Sequence, residues 1–256
     1  MFLGIVLIGL VAMMYSVYEY YHPRVKRLTL SNYTRYHAVP KEFKGKRVLF
    51  VSDLQFDHPI TGFDHFAMRR LTAKIKKLKP DLLILGGDLI HGDNDVNHYV
   101  FEYLSLLSME KWMILGNHDY KDIGKVYRLA YESNIQILKN KSLVWSGIHW
   151  YGVDDYRCGM PDIELLEDEQ YNILLSHNPD YAEKIQDKKI DLVLSGHFHA
   201  GQITLFGLWA PAITSENGQL FRYGHVARED KDFYVSSGIG GQVFGLPLRF
   251  CARPEI

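Results

Sequence analysis

The sequence predicts an α/β domain behind an apolar N-terminal helix, and three observations lead to it. Short runs rich in Val, Ile and Leu recur along the chain: RVLFVSD at 47–53, DLLILGGD at 81–88, WMILGNHD at 112–119, YNILLSH at 171–177 and DLVLSGH at 191–197. Amphipathic stretches separate these runs, as expected of strands covered by helices on both faces. Each run closes on a residue with an oxygen or imidazole donor.

Residues 2–18 read FLGIVLIGLVAMMYSVY, with no charge before Glu19. At ~1.5 Å per residue such a run is near the minimum for a hydrocarbon core ~30 Å thick. Tyr15, Tyr18, Tyr20 and Tyr21 supply rings suited to headgroup level. The segment lacks the basic start and small-residue cleavage site of a removed signal peptide, so residues 1–21 are expected to form an uncleaved single-pass anchor in the cell membrane. Arg24, Lys26, Arg27 and Arg35 follow it, and the positive-inside rule places the rest of the chain in the cytoplasm. Residues 22–45 read as a polar juxtamembrane segment, and one folded domain is expected over 46–256.

Between the first two runs, Met68, Leu71, Ile75 and Leu78 repeat at helical steps and make one apolar face. The opposite side carries Arg69, Arg70, Lys74, Lys76 and Lys77, which reads as a solvated face, with contact to a membrane surface as the alternative. Residues 96–108 and 179–187 are predicted to be helices, the latter following Asn178-Pro179; 135–153 and 202–236 are predicted to be shorter strands and turns. Hydrophobic residues at 47% and charged residues at 23% exclude a disordered chain. A net charge of -1 offers no basis for nucleic-acid capture. Cys158 and Cys251, far apart, point to two free thiols.

In open α/β sheets, ligands bind beyond the carboxyl ends of the strands. Asp53, Asp88, Asn117–His118, His177 and His197 occupy those ends, with Gln55, Asp119 and His199 close behind. Each has a plainer reading alone: His177 as a hydrogen-bonded core residue, Asp53 or Asp88 as a helix cap, Asn117 as a turn residue. Together they imply one polar site suited to divalent ions such as Mn, Fe, Zn or Ni. His65, His91, His98, His149 and His225 lie outside the pattern and read as structural.

The blocks Asp53-Leu54-Gln55, Gly87-Asp88, Gly116-Asn117-His118-Asp119, His177 and Gly196-His197-Phe198-His199 resemble, in order and spacing, the signature of the calcineurin-like metallophosphoesterases. The likeness runs from about Lys46 to the end of the chain. It implies a four-layer α/β sandwich, with two central mixed β-sheets flanked by helices. It also implies hydrolysis of a phosphate ester or pyrophosphate by two divalent metal ions, which activate a water and polarise the phosphoryl oxygens. By the same resemblance Asp53, Asp88 and His199 hold one ion; Asp88 (as a bridge), Asn117, His177 and His197 hold the other. His118 acts on the substrate, stabilising phosphoryl charge or protonating the leaving oxygen, and Asp119 orients its ring. The family has His where this chain has Gln55. Three readings stay open there: Gln55 binds through its carbonyl oxygen, His58 takes its place, or the first ion is loosely held.

The N-terminal anchor, Gly-His-Phe-His-Ala-Gly-Gln at 196–202, and the Ser-Ser-Gly-Ile-Gly and Leu-Pro-Leu-Arg-Phe stretches within 236–250 are similar to a membrane-anchored bacterial subgroup related to UDP-diacylglucosamine hydrolases. That implies a phosphorylated lipid or cell-envelope precursor as substrate. The alternatives are a soluble phosphorylated small molecule such as a nucleotide, or a non-catalytic scaffold that binds a protein partner. Members of the subgroup usually continue into another strand past the Arg-Pro-Glu-Ile of this chain, so a missing or shortened last strand is expected. Two apolar loops, 205–211 and 243–248, read either as core packing and a closing hairpin or as a rim that meets acyl chains or the bilayer. Arg249 is a candidate partner for a substrate phosphate.

Overall fold

The computed structural model describes residues 2–56, 61–164, 169–243 and 246–256. Phe2–Tyr21 form one continuous helix, α1, of 20 residues. A proline-free apolar run satisfies its backbone groups internally in this form. Leu3–Tyr21 has a mean hydropathy of 1.6 and is long and apolar enough to cross a bilayer. Its first turns stand clear of the domain, with Leu3, Leu7, Ile8 and Leu10 exposed, whereas Ser16, Glu19, Tyr20 and Tyr21 are buried. There the Ser16 carbonyl accepts a hydrogen bond from the Arg249 amide at 3.2 Å. The Tyr15 ring meets Phe250 edge-on at 5.5 Å, and Tyr21 meets Phe66 at 5.6 Å.

After residues 22–45, β1 (Val48–Val51), β2 (Leu82–Leu85), β3 (Glu110–Met113) and β4 (Gln136–Ile137) form a four-stranded sheet in that order. Every pairing in it is parallel. The crossovers carry α2 (Thr61–Leu78), α3 (His98–Ser105) and α4 (Ile123–Glu132). The second sheet contains β5 (Lys141–Trp145), β6 (Ile148–Gly152), β7 (Asn172–Leu175), β8 (Leu192–Ser195), β9 (Gly224–Ala227) and β10 (Asp232–Val235), in the order β5-β6-β7-β8-β10-β9. Its inner pairings are parallel, and β5 and β9 add antiparallel edges. The expected pair of mixed sheets is thus refined: one is mixed, and the other is parallel because helical crossovers join all its strands.

Alternation along the strands builds the layers. In β2, Leu83 and Leu85 face the helices with Leu71, Ile75 and Phe101, while Leu82 and Ile84 face the second sheet with Trp150, Ile173 and Leu192. Beyond the second sheet, Leu174, Val193 and Phe233 pack on Ala182 of α5 (Pro179–Lys184). All four β2 residues are buried, each contributing about 1.5–3 kcal/mol. The five sequence runs all begin as strands, but their polar tails lie in loops. Helix α4, set by Ile123, Val126, Leu129 and Ala130 on one face, was not anticipated. The helix after Asn178 ends at Lys184; Asn178 caps it by accepting from the Asp180 amide at 2.9 Å.

The last residues run beside the chain leaving α1. Arg24 donates its amide to Pro254 at 2.9 Å and accepts from Ile256 at 3.0 Å. Buried Glu255 binds the two together, accepting from Tyr234 Oη at 2.6 Å, Tyr223 Oη at 2.9 Å and Arg24 Nε at 3.3 Å. Removing it strands the buried Tyr234 phenol, while the half-buried Tyr223 hydroxyl keeps its contact with the Arg24 guanidinium. A Glu255→Ala variant is expected to lose about 3 kcal/mol, read as a lower melting temperature of the full chain. Leu106→Ala, on the exposed end of α3, should leave the melting temperature unchanged.

Candidate metal centre

The parallel strands deliver their polar tails to one place between the sheets, and Asp88 is its hub. Asp88 Oδ2 lies 3.2 Å from His177 Nε2 and 3.4 Å from Gln55 Nε2. Asp88 Oδ1 accepts the His118 amide at 2.8 Å. His177 Nε2 is also 3.3 Å from His197 Nδ1 and 4.0 Å from Asp53 Oδ1. Asp53 Oδ1 in turn lies 3.5 Å from His199 Nε2. Ligand atoms of Asp88, His177 and His197 fall within 4.8 Å of one another. The sequence blocks therefore converge, with Asp53, Asp88 and Asn117 from the parallel sheet and His177, His197 and His199 from the mixed one.

Local backbone explains how loops aim these side chains inward. Asp53 (φ 54), Gln55 (φ 44), Asp88 (φ 52), His197 (φ 74) and His199 (φ 50) all adopt the left-handed conformation. Each such residue costs ~1–3 kcal/mol, and such strain clusters at working sites. Two glycines make room: a Cβ on Gly116 would collide with the Asp88 carboxylate, and one on Gly87 would sit 2.6 Å from His177 Nδ1.

The residues fit divalent ions. Asn117 Oδ1 and His197 Nε2 are buried and have no hydrogen-bond partner among the described residues. Leaving each unmet costs about 1–3 kcal/mol, which a bound cation offsets. Burial alone would raise the Asp88 carboxyl, but the His177 imidazole outweighs it and holds Asp88 far below the usual carboxylate range. Burial opposes charge on His177, yet Asp88 and Asp53 together raise it well above an ordinary histidine. Burial drives His197 down to about 3 and His199 down to about 4, so both rings are neutral at pH 7 and carry lone pairs.

Other expectations change. Asp119 lies in the site but not against the His118 ring. Its buried carboxylate accepts amides from Asp88 at 2.8 Å, Leu89 at 2.9 Å and Gly116 at 2.9 Å, clipping the β2 and β3 loops together. Burial and the nearby Asp88 charge push its carboxyl up to about 7. The His91 carbonyl, 2.6 Å from His118 Nδ1, takes the orienting position instead, and the two rings stack at 4.5 Å. Its position at the end of the β2 loop, level with the Asn117–His118 block, was the signal to weigh. Arg249 is corrected outright: it is fully buried and donates to the Gly240 carbonyl through Nε at 3.1 Å and to the His199 carbonyl, so it supports a ligand rather than meeting a phosphate. Asp155, buried at the end of β6, adds a carboxylate that electrostatically favours the His177 cation and that the motifs omitted. His58 lies outside the described residues.

This fold and site define a metal-dependent phosphoester hydrolase. The chain belongs to the calcineurin-like phosphoesterase family, whose model matches residues 46–201. It is 33% identical over 235 residues to the uncharacterized metallophosphoesterase YkuE of Bacillus subtilis, covering 85% of this chain and 79% of that protein. It is 28% identical to the UDP-2,3-diacylglucosamine pyrophosphatase LpxG of Chlamydia trachomatis, covering 91% of this chain and 88% of that protein. A transmembrane protein with a metallophosphoesterase domain from Bos taurus is also 28% identical, over 86% of this chain and 54% of its own length.

A Cβ at Gly116 would meet both the Asp88 carboxylate and, at 2.6 Å, the Asp88 amide nitrogen, so Gly116→Ala displaces the β2 loop as well as the side chain. The variant should melt at a lower temperature than the parent and bind divalent metal at least about tenfold more weakly in a calorimetric titration. Asp119→Ala should behave oppositely to an orienting residue, lowering stability by about 3 kcal/mol in a chemical melt because buried amides lose their acceptor.

Proposed function

We propose that this chain holds two divalent ions and hydrolyses a phosphate ester or pyrophosphate of a membrane lipid or envelope precursor, from the face of the bilayer that α1 crosses. The observation that carries this reading is the meeting of Asp53, Asp88, His177, His197 and His199 in one buried cluster, and the buried Asn117 Oδ1 and His197 Nε2, without a hydrogen-bond partner among the described residues, support it. Asp53, Asp88 and His199 would hold one ion, with the Gln55 amide beside it. Asp88, Asn117, His177 and His197 would hold the other. When bound, the ions supply an activated water and polarise the phosphoryl oxygens.

The protein's own groups do the rest. The His118 amide is pinned to Asp88, and its Nδ1 is engaged by the His91 carbonyl at 2.6 Å and Lys121 Nζ at 3.1 Å, so Nε2 is the ring nitrogen that would serve the leaving oxygen. Lys121 Nζ, 2.9 Å from the same carbonyl and exposed, brings a cation to the mouth of the site, where substrate phosphate charge gathers. Four basic residues follow α1, supporting a cytoplasmic domain. The likeness to LpxG supports a lipid pyrophosphate as the substrate class.

The full chain, stripped with chelator and reloaded with Mn, should hydrolyse bis(p-nitrophenyl) phosphate only in the metal-loaded state. His118→Ala should lower kcat by roughly 10²–10⁴-fold while keeping its metal content. Absence of turnover with every divalent metal tried, by folded protein, favours the scaffold. If UDP-2,3-diacylglucosamine in mixed micelles is turned over no faster than the soluble diester, the lipid assignment is wrong.

A further inference from the structure

One surface remains unexplained by the chemistry. The turn after His199 exposes a cluster of large apolar side chains: Phe206 is 87% exposed, Leu208 80%, Leu205 57% and Trp209 47%. Core packing, the plain expectation for this loop, therefore does not hold for these side chains. Exposed apolar clusters of this kind mark interaction surfaces rather than chance.

The loop has a defined shape. The Leu205 amide donates to Trp209 at 2.8 Å, and the Leu208 amide to Leu205 at 2.9 Å. Thr204 Oγ1 accepts the Gly207 amide at 2.9 Å and donates to the Cys251 carbonyl at 2.7 Å. Arg222 reaches under the turn to the Gly207 carbonyl at 2.8 Å. Phe206 is held at φ 54, a conformation unfavourable for a bulky residue, with its ring turned outward. A backbone this well tied could have presented polar residues at the same cost.

Position identifies the partner. The segment Arg249–Cys251 touches three things at once. Its Arg249 amide donates to Ser16 of α1, and its Phe250 ring packs on Tyr15. Its Phe250 carbonyl accepts the Thr204 amide at the base of the loop at 3.0 Å. Its Arg249 guanidinium holds the His199 carbonyl. The loop is thereby fixed beside α1 at the level of Tyr15, six residues inside the end of the helix. Beyond Tyr15, Ser16, Glu19, Tyr20 and Tyr21 are buried against the domain, whereas Met13 and Met14 before it are exposed, so Tyr15 marks the level at which the span leaves the domain and would enter the bilayer boundary.

We propose that residues Leu205–Trp209 are a second membrane contact: a wedge that inserts into the acyl boundary beside α1 and opens the metal centre onto lipid phosphates of the same bilayer. The proposal rests on the reading of α1 as a membrane span and deepens the lipid assignment above. The wedge is apolar, continuous with the helix and adjacent to His199. A bilayer satisfies all three, whereas a protein partner would leave the continuity with α1 unused.

The test uses the full chain in phosphatidylcholine nanodiscs carrying a doxyl quencher near the top of the acyl chain. The chain has four tryptophans, so the Trp209 signal is taken as the emission lost in Trp209→Phe. Lipid doxyl should quench that component at least about threefold more than the remainder, and iodide in the buffer should barely reach it. A paired Phe206→Ser, Leu208→Ser variant changes only exposed positions. It should remain anchored in the disc, lose the doxyl quenching and open Trp209 to iodide. If Trp209 in the parent is quenched by iodide and not by doxyl, the wedge is overturned. The soluble-diester assay is a separate readout, so loss of the wedge and loss of the hydrolase reading are told apart.

Discussion

Asp88 and His177 belong to different sheets, and their 3.2 Å contact spans the middle of the sandwich. Everything at the site depends on that span. Asp53, Asp88 and Asn117 hang from the parallel sheet, while His177, His197 and His199 hang from the mixed one, so neither sheet alone holds the proposed ligand set. The inner-face packing of Leu82, Ile84 and Trp112 against Trp150, Ile173 and Leu192 sets the separation and register. Close packing is stiff, and a shift of one ångström here moves half the ligands relative to the other half.

The centre is built against local preference. Five of the candidate site residues sit in left-handed backbone, two imidazoles are buried neutral, and among the described residues an amide oxygen and a ring nitrogen have no partner. Each feature costs free energy in the apo chain. Sheet packing, the Asp119 clip across the β2 and β3 loops, and the Arg249 brace behind His199 hold them in place. Strain that packing maintains and a cation relieves is how a site can be preorganised for its ion.

Much of this was legible in the sequence because it is local. A strand of Val, Ile and Leu that stops at a polar residue announces the strand and a polar side chain at its end, so β1, β2, β3, β7 and β8 and the polar cluster beyond them could be read directly. Roles that depend on distant contacts could not. Asp119 follows His118 in sequence, which suggests a partner for its ring, yet the fold turns the carboxylate toward the amides of the β2 loop. Arg249 lies beyond an apolar loop and looks exposed, but the docking of α1 buries it. His91 has no motif at all and acts through its main-chain carbonyl. Helix α4 is short, ten residues from Ile123 to Glu132, although Ile123, Val126, Leu129 and Ala130 line one apolar face. The Arg249–Cys251 stretch shows the same principle at larger scale, since three chain segments far apart in sequence meet there and couple α1 to His199.

The central claim, that two sheets jointly hold a pair of ions bridged by Asp88, is tested most directly by anomalous diffraction from crystals of the manganese-loaded full chain. Two peaks ~3.5–4 Å apart, with Asp88 between them, are the predicted result. A single peak, or ions bound by residues of one sheet alone, would contradict it.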